Sequence, residues 1–159
     1  MNFLEQLAAE WYNYQNYFVR TNVRTEKLPH GGHSGEMDVL AYEPHTRELI
    51  HIETSSDAWP LKKREEVMRQ KMRWSHEQYE RALGVDVGKV RKIAVCGPSI
   101  SSDGLRWGDI EVISISEFIR SIHAVVSKTP YMRSAVPEKY PLLRTMQITA
   151  WALRQATEE

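Results

Sequence analysis

Two short runs of the chain place acidic residues at matched positions. Glu36-Met37-Asp38-Val39-Leu40-Ala41-Tyr42 and Leu49-Ile50-His51-Ile52-Glu53-Thr54-Ser55 flank a polar turn at residues 43–48. Both runs alternate in the manner of strands, with a side-chain period of two. Closing them symmetrically into an antiparallel hairpin sets Tyr42 opposite Leu49, Leu40 opposite His51, Asp38 opposite Glu53 and Glu36 opposite Ser55. Directly opposed residues have Cβ atoms roughly 5 Å apart. Two carboxylates at that spacing repel each other, and a divalent cation between them turns the repulsion into coordination. Mg²⁺ takes one or two protein carboxylates and completes its shell with water and phosphate oxygens. Met37, Val39, Ala41, Ile50 and Ile52 form the opposite, core-facing side. A lone Asp or Glu is by default a solvated surface group. The pairing, with Leu40 and Leu49 on the same face, favours a site.

The elements needed to hold this hairpin are legible on either side. Residues 3–15 form an amphipathic helix with Phe3, Leu7, Glu10 and Tyr14 on one face, beside Leu4 and Trp11. A first strand covers Tyr17–Arg24, followed by the loop Pro29–Gly35. After Ser55, Asp57-Ala58-Trp59-Pro60 starts a helix that runs to Leu83 and stops at Gly84, with Leu61, Met68, Met72 and Tyr79 as its apolar seam. Strands follow at Arg91–Cys96 and Ile110–Ile115. Ser114 and Glu117 have capping-box spacing for a helix to Val126, and a last helix covers Glu138–Ala156. The order is α-β-β-β-α-β-β-α-α. It predicts one α/β domain over residues 1–159, with a core at about 3–96 and a C-terminal strand and helices at 108–157.

The hairpin resembles the PD-(D/E)XK, or restriction-endonuclease-like, nuclease superfamily. The residues that carry the likeness are Gly35 to Tyr42 and Leu49 to Ser55, and with the order of elements it spans about residues 3–96. In that family an Asp begins one strand of a hairpin. A Glu or Asp, one arbitrary residue and a Lys lie on the next. The preceding helix often adds a Glu, and the shared core is α-β-β-β-α-β with a mixed central sheet flanked by helices. The resemblance implies that Asp38 and Glu53 hold Mg²⁺ or Mn²⁺, with Glu10 and Glu36 assisting. Ser55 stands where the family has its lysine, the group thought to orient the attacking water and stabilise developing charge. A displaced ammonium must then come from elsewhere. Lys62 and Lys63 lie nearest in sequence, and Lys71 becomes the better candidate if the helix folds back steeply over the sheet.

The function implied is a Mg²⁺-dependent nuclease acting on DNA. The alternative is a nuclease-like domain that does not cut and binds nucleic acid or a protein partner, which Ser55 motivates. Arg20 and Arg24 share one face of the first strand and, with Lys27, His30 and His33, are the candidate contacts to a phosphodiester backbone. The same histidines, with His51, would make a zinc site only if three of them converged. The second basic stretch, Lys62 to Arg73, is balanced by Glu65, Glu66, Glu77 and Glu80 and by itself reads as a solvated helix face rather than a phosphate contact.

The bulk numbers bound these readings. The 159 residues fit one core. The 42% hydrophobic and 26% charged shares are those of a globular protein. A net charge of zero counts mildly against nucleic-acid binding, although local charge decides phosphate contact. The single Cys96 excludes an internal disulfide and a multi-cysteine zinc site. No apolar run could cross a bilayer and the N-terminus lacks a secretory pattern, so a cytoplasmic location with no membrane partner is expected. Leu142, Leu143, Met146, Ala150, Trp151 and Leu153 spread over more than one face of the last helix. That distribution predicts docking on its own domain and a contribution to a homodimer.

Overall fold

A computed structural model describes residues 2–25, 29–97 and 104–157. It contains the helices α1 (Phe3–Tyr14), α2 (Leu61–Lys71), α3 (His76–Leu83), α4 (Ile115–Val126) and α5 (Pro141–Thr157). The strands are β1 (Phe18–Arg24), β2 (Glu36–Glu43), β3 (Glu48–Ser55), β4 (Lys89–Cys96), β5 (Arg106–Trp107) and β6 (Ile110–Ser114). The chain divides into two compact units, Met1–Ile115 and Ser116–Glu159. The division falls after β6, so the strand expected to group with the C-terminal helices belongs to the sheet.

The first unit is an α/β structure around one mixed sheet of six strands, ordered β1-β2-β3-β4-β6-β5. The first three strands are antiparallel neighbours, whereas β3, β4 and β6 run parallel. Helix α1 starts at Asn2, whose side chain accepts from the Leu4 and Glu5 backbone N–H groups in a capping box with Glu5. Its buried stripe is Leu4, Leu7, Ala8 and Glu10, while Phe3, expected on the inner face, is exposed. Asn2 Nδ2 lies 3.5 Å from Thr54 Oγ1, so α1 covers the Ile50–Ile52–Thr54 face of β3. The opposite face is also covered. There Met68 and Met72 pack with Ala94, Cys96, Trp107, Ile110 and Val112, and Trp74 and Tyr79 pack with Leu40 and Leu49. The acids therefore lie in an interior layer. Coverage on both sides explains why β2 and β3 are buried almost without alternation.

The single helix expected from Pro60 to Leu83 is two helices. Leu61, assigned to its seam, is exposed, and Pro60 precedes α2 with no side-chain cap. Asp57 does not cap it either, because its carboxylate accepts instead from Ser55 Oγ at 3.0 Å. The chain breaks at residues 72–75, where Trp74 turns into the core and Ser75 opens α3 through a capping box with Gln78. The buried Trp74 ring sits against Gly35, where a Cβ would come within 2.8 Å of it. Gly84 closes α3 in the left-handed conformation that glycine adopts without strain.

In the second unit α5 begins at Pro141, three residues later than expected. Its buried stripe is Leu143, Gln147 and Ala150. Gln147 donates to Thr129 O and Ser134 O and accepts from the Val136 N–H, which ties the loop between the helices to α5. Trp151 packs against Tyr131 of the same unit, and Leu153 is exposed.

A forked hairpin with two carboxylates and a lysine

The β2–β3 ladder has the expected register, with Tyr42 opposite Leu49 and Leu40 opposite His51, and its last pair is Val39–Ile52. Beyond that pair the strands part. β2 stays with β1 as far as Arg24–Glu36, and β3 stays with β4 as far as Ser55–Cys96. The expected Asp38–Glu53 and Glu36–Ser55 ladder pairs are therefore both absent, and the two acids meet through their side chains instead. Asp38 and Glu53 fill the fork and replace the ladder bonds with their own. The Asp38 N–H donates to Glu53 Oε1 at 3.1 Å, and the Thr54 N–H donates to Asp38 Oδ2 at 3.2 Å. Buried backbone donors need a partner, and here each carboxylate serves the opposite strand. On β1 the pairing passes from Thr21–Val39 to Val23–Met37 around Asp38, and the intervening Asn22 has φ of +51°. Asn tolerates that left-handed region better than other non-glycine residues.

Lys71, the last residue of α2, brings its ammonium to both acids. Nζ is 3.1 Å from Asp38 Oδ2 and in direct ion-pair contact with Glu53 Oε2. Of the three candidate lysines, Lys71 alone makes this contact among the described residues. Lys62 is exposed, and Lys63 pairs with Glu66 on the surface at 3.9 Å. The helix does fold back over the sheet, because Met68 and Met72 must be buried against β4 and β6.

The two acids differ electrostatically. Burial, reinforced by the neighbouring Glu53 charge, pushes the Asp38 carboxyl up to about 7 against the partial relief from Lys71. Burial also raises Glu53, but His51 and Lys71 outweigh it and hold this carboxyl below the ordinary glutamate value. Lys71 loses by burial and gains more from Glu53 and Asp38, so its ammonium is held charged.

Two residues that sequence pattern did not place in the site complete it. His51 Nε2 is 2.9 Å from Glu53 Oε1, and His51 Nδ1 is 2.8 Å from the Tyr79 hydroxyl. The signal is present in part, because His51 shares strand parity with Glu53. Tyr79 reads along the chain as one more apolar seam residue.

Other candidates lie elsewhere. Glu10 is buried on α1, which covers the face of β3 opposite to Glu53, and its carboxylate accepts from Gln6 Nε2 at 2.9 Å. Glu36 points outward and pairs with Arg24 at 3.8 Å. Ser55 Oγ is bonded to Asp57 rather than to either acid. Among the described residues no group of three or more His, Cys, Asp or Glu side chains stands at metal-binding spacing. The assisting roles expected of Glu10 and Glu36 therefore have no geometric basis, and the histidines do not converge.

Asp38 and Glu53 nevertheless fit Mg²⁺ or Mn²⁺. The buried Glu53 Oε2 is met by the Lys71 ammonium, as is Asp38 Oδ2. Both acids thus turn an oxygen toward a cation, and Mg²⁺ needs only one or two such oxygens from protein.

Arg20, Arg24 and His33 gather at the β1 edge. Arg20 Nη1 donates to Ala82 O of α3 at 2.6 Å, and His33 Nδ1 is 2.7 Å from Thr25 O. A cleft of about 180 Å³ is lined by Arg24, Thr25, Gln78, Arg81 and Ala82. His30 is exposed. Lys27 lies outside the described residues.

Comparison with family models, curated proteins and solved structures finds no match. No helix among the described residues is long and apolar enough to cross a membrane.

Proposed function

We propose that this protein is a divalent-metal-dependent nuclease that hydrolyses phosphodiester bonds of DNA. In this reading it is of the PD-(D/E)XK type, with the lysine moved from strand β3 to helix α2. The observation that carries the reading is the Lys71 ammonium placed against both Asp38 and Glu53. Ser55 leaves the resemblance without its cation, and α2 supplies one. The element order adds support, since a helix, three antiparallel strands, a helical crossover and a strand parallel to β3 is what the resemblance implies.

Asp38 and Glu53 would hold the metal. Mg²⁺ or Mn²⁺, when bound, polarises the scissile phosphate and activates water. Lys71 offers its charge to the negative charge that develops on the phosphoryl oxygens. Ser55 takes no part. Incubation with supercoiled plasmid and Mg²⁺ or Mn²⁺ tests this. Cleavage is expected, and it should vanish with EDTA, Asp38→Asn or Glu53→Gln. A parent that never cuts while Ser55→Lys does would identify the non-cutting, nuclease-like binding module. If neither cuts, the nuclease reading is wrong.

The β1 edge supplies the backbone contacts in this reading. Arg24 and Arg81 face one cleft, and a guanidinium binds phosphate bidentately. The double variant Arg24→Ala with Arg81→Ala is expected to weaken binding of a duplex oligonucleotide in EDTA. It should also flatten the slope of log affinity against log salt by about 0.9 for each phosphate that is no longer neutralised. Fluorescence anisotropy over a salt series reads both, and an unchanged slope rules out phosphate binding by these two arginines.

A further inference from the structure

Behind the acid pair runs a buried polar chain that the hydrolytic reading leaves unused. The His51 and Glu53 side chains are wholly buried, and Tyr79 is 1% exposed. Buried polar groups cost free energy unless they are paired, and here the pairing has a direction. Glu53 Oε1 faces two nitrogens, the Asp38 backbone N–H at 3.1 Å and His51 Nε2 at 2.9 Å. The other oxygen, Oε2, is left to the Lys71 ammonium.

We propose that His51 and Tyr79 are positioning residues that hold the Glu53 carboxylate with Oε1 turned inward and Oε2 presented to the cation. The inference rests on reading Glu53 as a metal-holding group. A carboxylate only accepts, so Nε2 must carry the proton that it donates to Oε1. In a neutral imidazole Nδ1 is then an acceptor, and the Tyr79 hydroxyl, 2.8 Å away, donates to it. Burial raises the Tyr79 phenol above its ordinary value, which keeps that donor protonated. The opposite tautomer would set a lone pair against the Glu53 oxygen. The two rings also meet edge to face, with centroids 5.5 Å apart, so the imidazole is held laterally as well. Tyr79 comes from α3 and His51 from β3, and the break between α2 and α3 lets one helix bring its lysine to Glu53 while the next brings its tyrosine to His51.

The test is calorimetric titration with Mn²⁺ of the parent, His51→Leu, His51→Gln and Tyr79→Phe, each checked for folding by circular dichroism. It is paired with long-range ¹H–¹⁵N spectra of the imidazole in the metal-free protein. Removing an outer partner of a metal ligand lowers affinity by about 10- to 100-fold. That loss is expected for His51→Leu and Tyr79→Phe. Gln retains an N–H donor for Oε1, so His51→Gln should recover most of the affinity, which a purely structural role would not predict. The parent spectrum should show His51 in the Nε2–H form, and Tyr79→Phe should move the Nδ1 resonance, which loses its donor. Tyr79→Phe removes a single hydroxyl and carries the test should His51→Leu fail to fold. Parental Mn²⁺ affinity in folded Tyr79→Phe, or an Nδ1–H imidazole in the parent, overturns the proposal. A parent that binds no Mn²⁺ overturns the nuclease reading instead. The spectrum then decides alone: an Nε2–H imidazole whose Nδ1 resonance moves in Tyr79→Phe upholds the positioning, and an Nδ1–H imidazole or an unchanged Nδ1 resonance overturns it.

Discussion

Lys71→Met is expected to cost cleavage on the order of 10²- to 10³-fold in kcat, the loss typical when a preorganised donor to developing charge is removed. Metal affinity should move the other way. The ammonium of Lys71 stands against Asp38 Oδ2 and Glu53 Oε2, the oxygens a divalent cation would use. Methionine is similar in length and uncharged, so it vacates that position without filling the fork with charge. The parent must displace or share with an ammonium when it binds metal, and the variant need not. Tighter Mn²⁺ binding without cleavage would distinguish a catalytic lysine from one that only neutralises the pair. Lys62→Met and Lys63→Met should cut like the parent, because the first is exposed and the second is paired with Glu66. If Lys71→Met cuts at the parental rate, the migrated-lysine mechanism is wrong.

The two carboxylates should respond oppositely to neutralisation, and pH should expose the difference. Asp38 is raised to about 7 in the folded protein from an ordinary 3.8. A raised group holds its proton more tightly when folded, so its contribution is full below the ordinary value and is lost as pH rises toward 7. Asp38→Asn carries no such charge. The metal-free variant should match the parent at about pH 4 and exceed it above pH 7, by on the order of 4 kcal/mol at most. Glu53 is lowered, so its charge contributes stability above the ordinary glutamate value and loses it in acid. Glu53→Gln should therefore be less stable than the parent at neutral pH, with the gap closing as pH falls. Urea denaturation from pH 4 to 8 measures both. Metal binding follows the same titration, since a ligand must be deprotonated. Apparent Mn²⁺ affinity of the parent should fall about tenfold per pH unit below 7 and level off above it. A flat affinity across that range would mean that Asp38 is not a ligand.

Much of this site can be read along the chain. The positions of Asp38 and Glu53 follow from a side-chain period of two and a symmetric turn, both local properties. The register Tyr42–Leu49 and Leu40–His51 follows from the same facts. The break in the long helix is also written locally, in the Ser75–Gln78 capping box, but the apolar seam from Met68 to Tyr79 masks it. The rest depends on contacts between residues far apart in sequence. Periodicity on α1 cannot say which sheet face the helix will cover, so it cannot exclude Glu10. A hairpin pattern cannot show that its strands fork, because the fork arises when β1 and β4 draw β2 and β3 apart. Lys71 lies 33 residues from Asp38, and Tyr79 lies 28 from His51. Local pattern was enough to bring the two acids to one end of the hairpin, though not to pair them in its ladder. Which lysine neutralises them, and which histidine orients one of them, was set by packing across the fold, because burying Met68, Met72 and Tyr79 fixes where both helices end their reach.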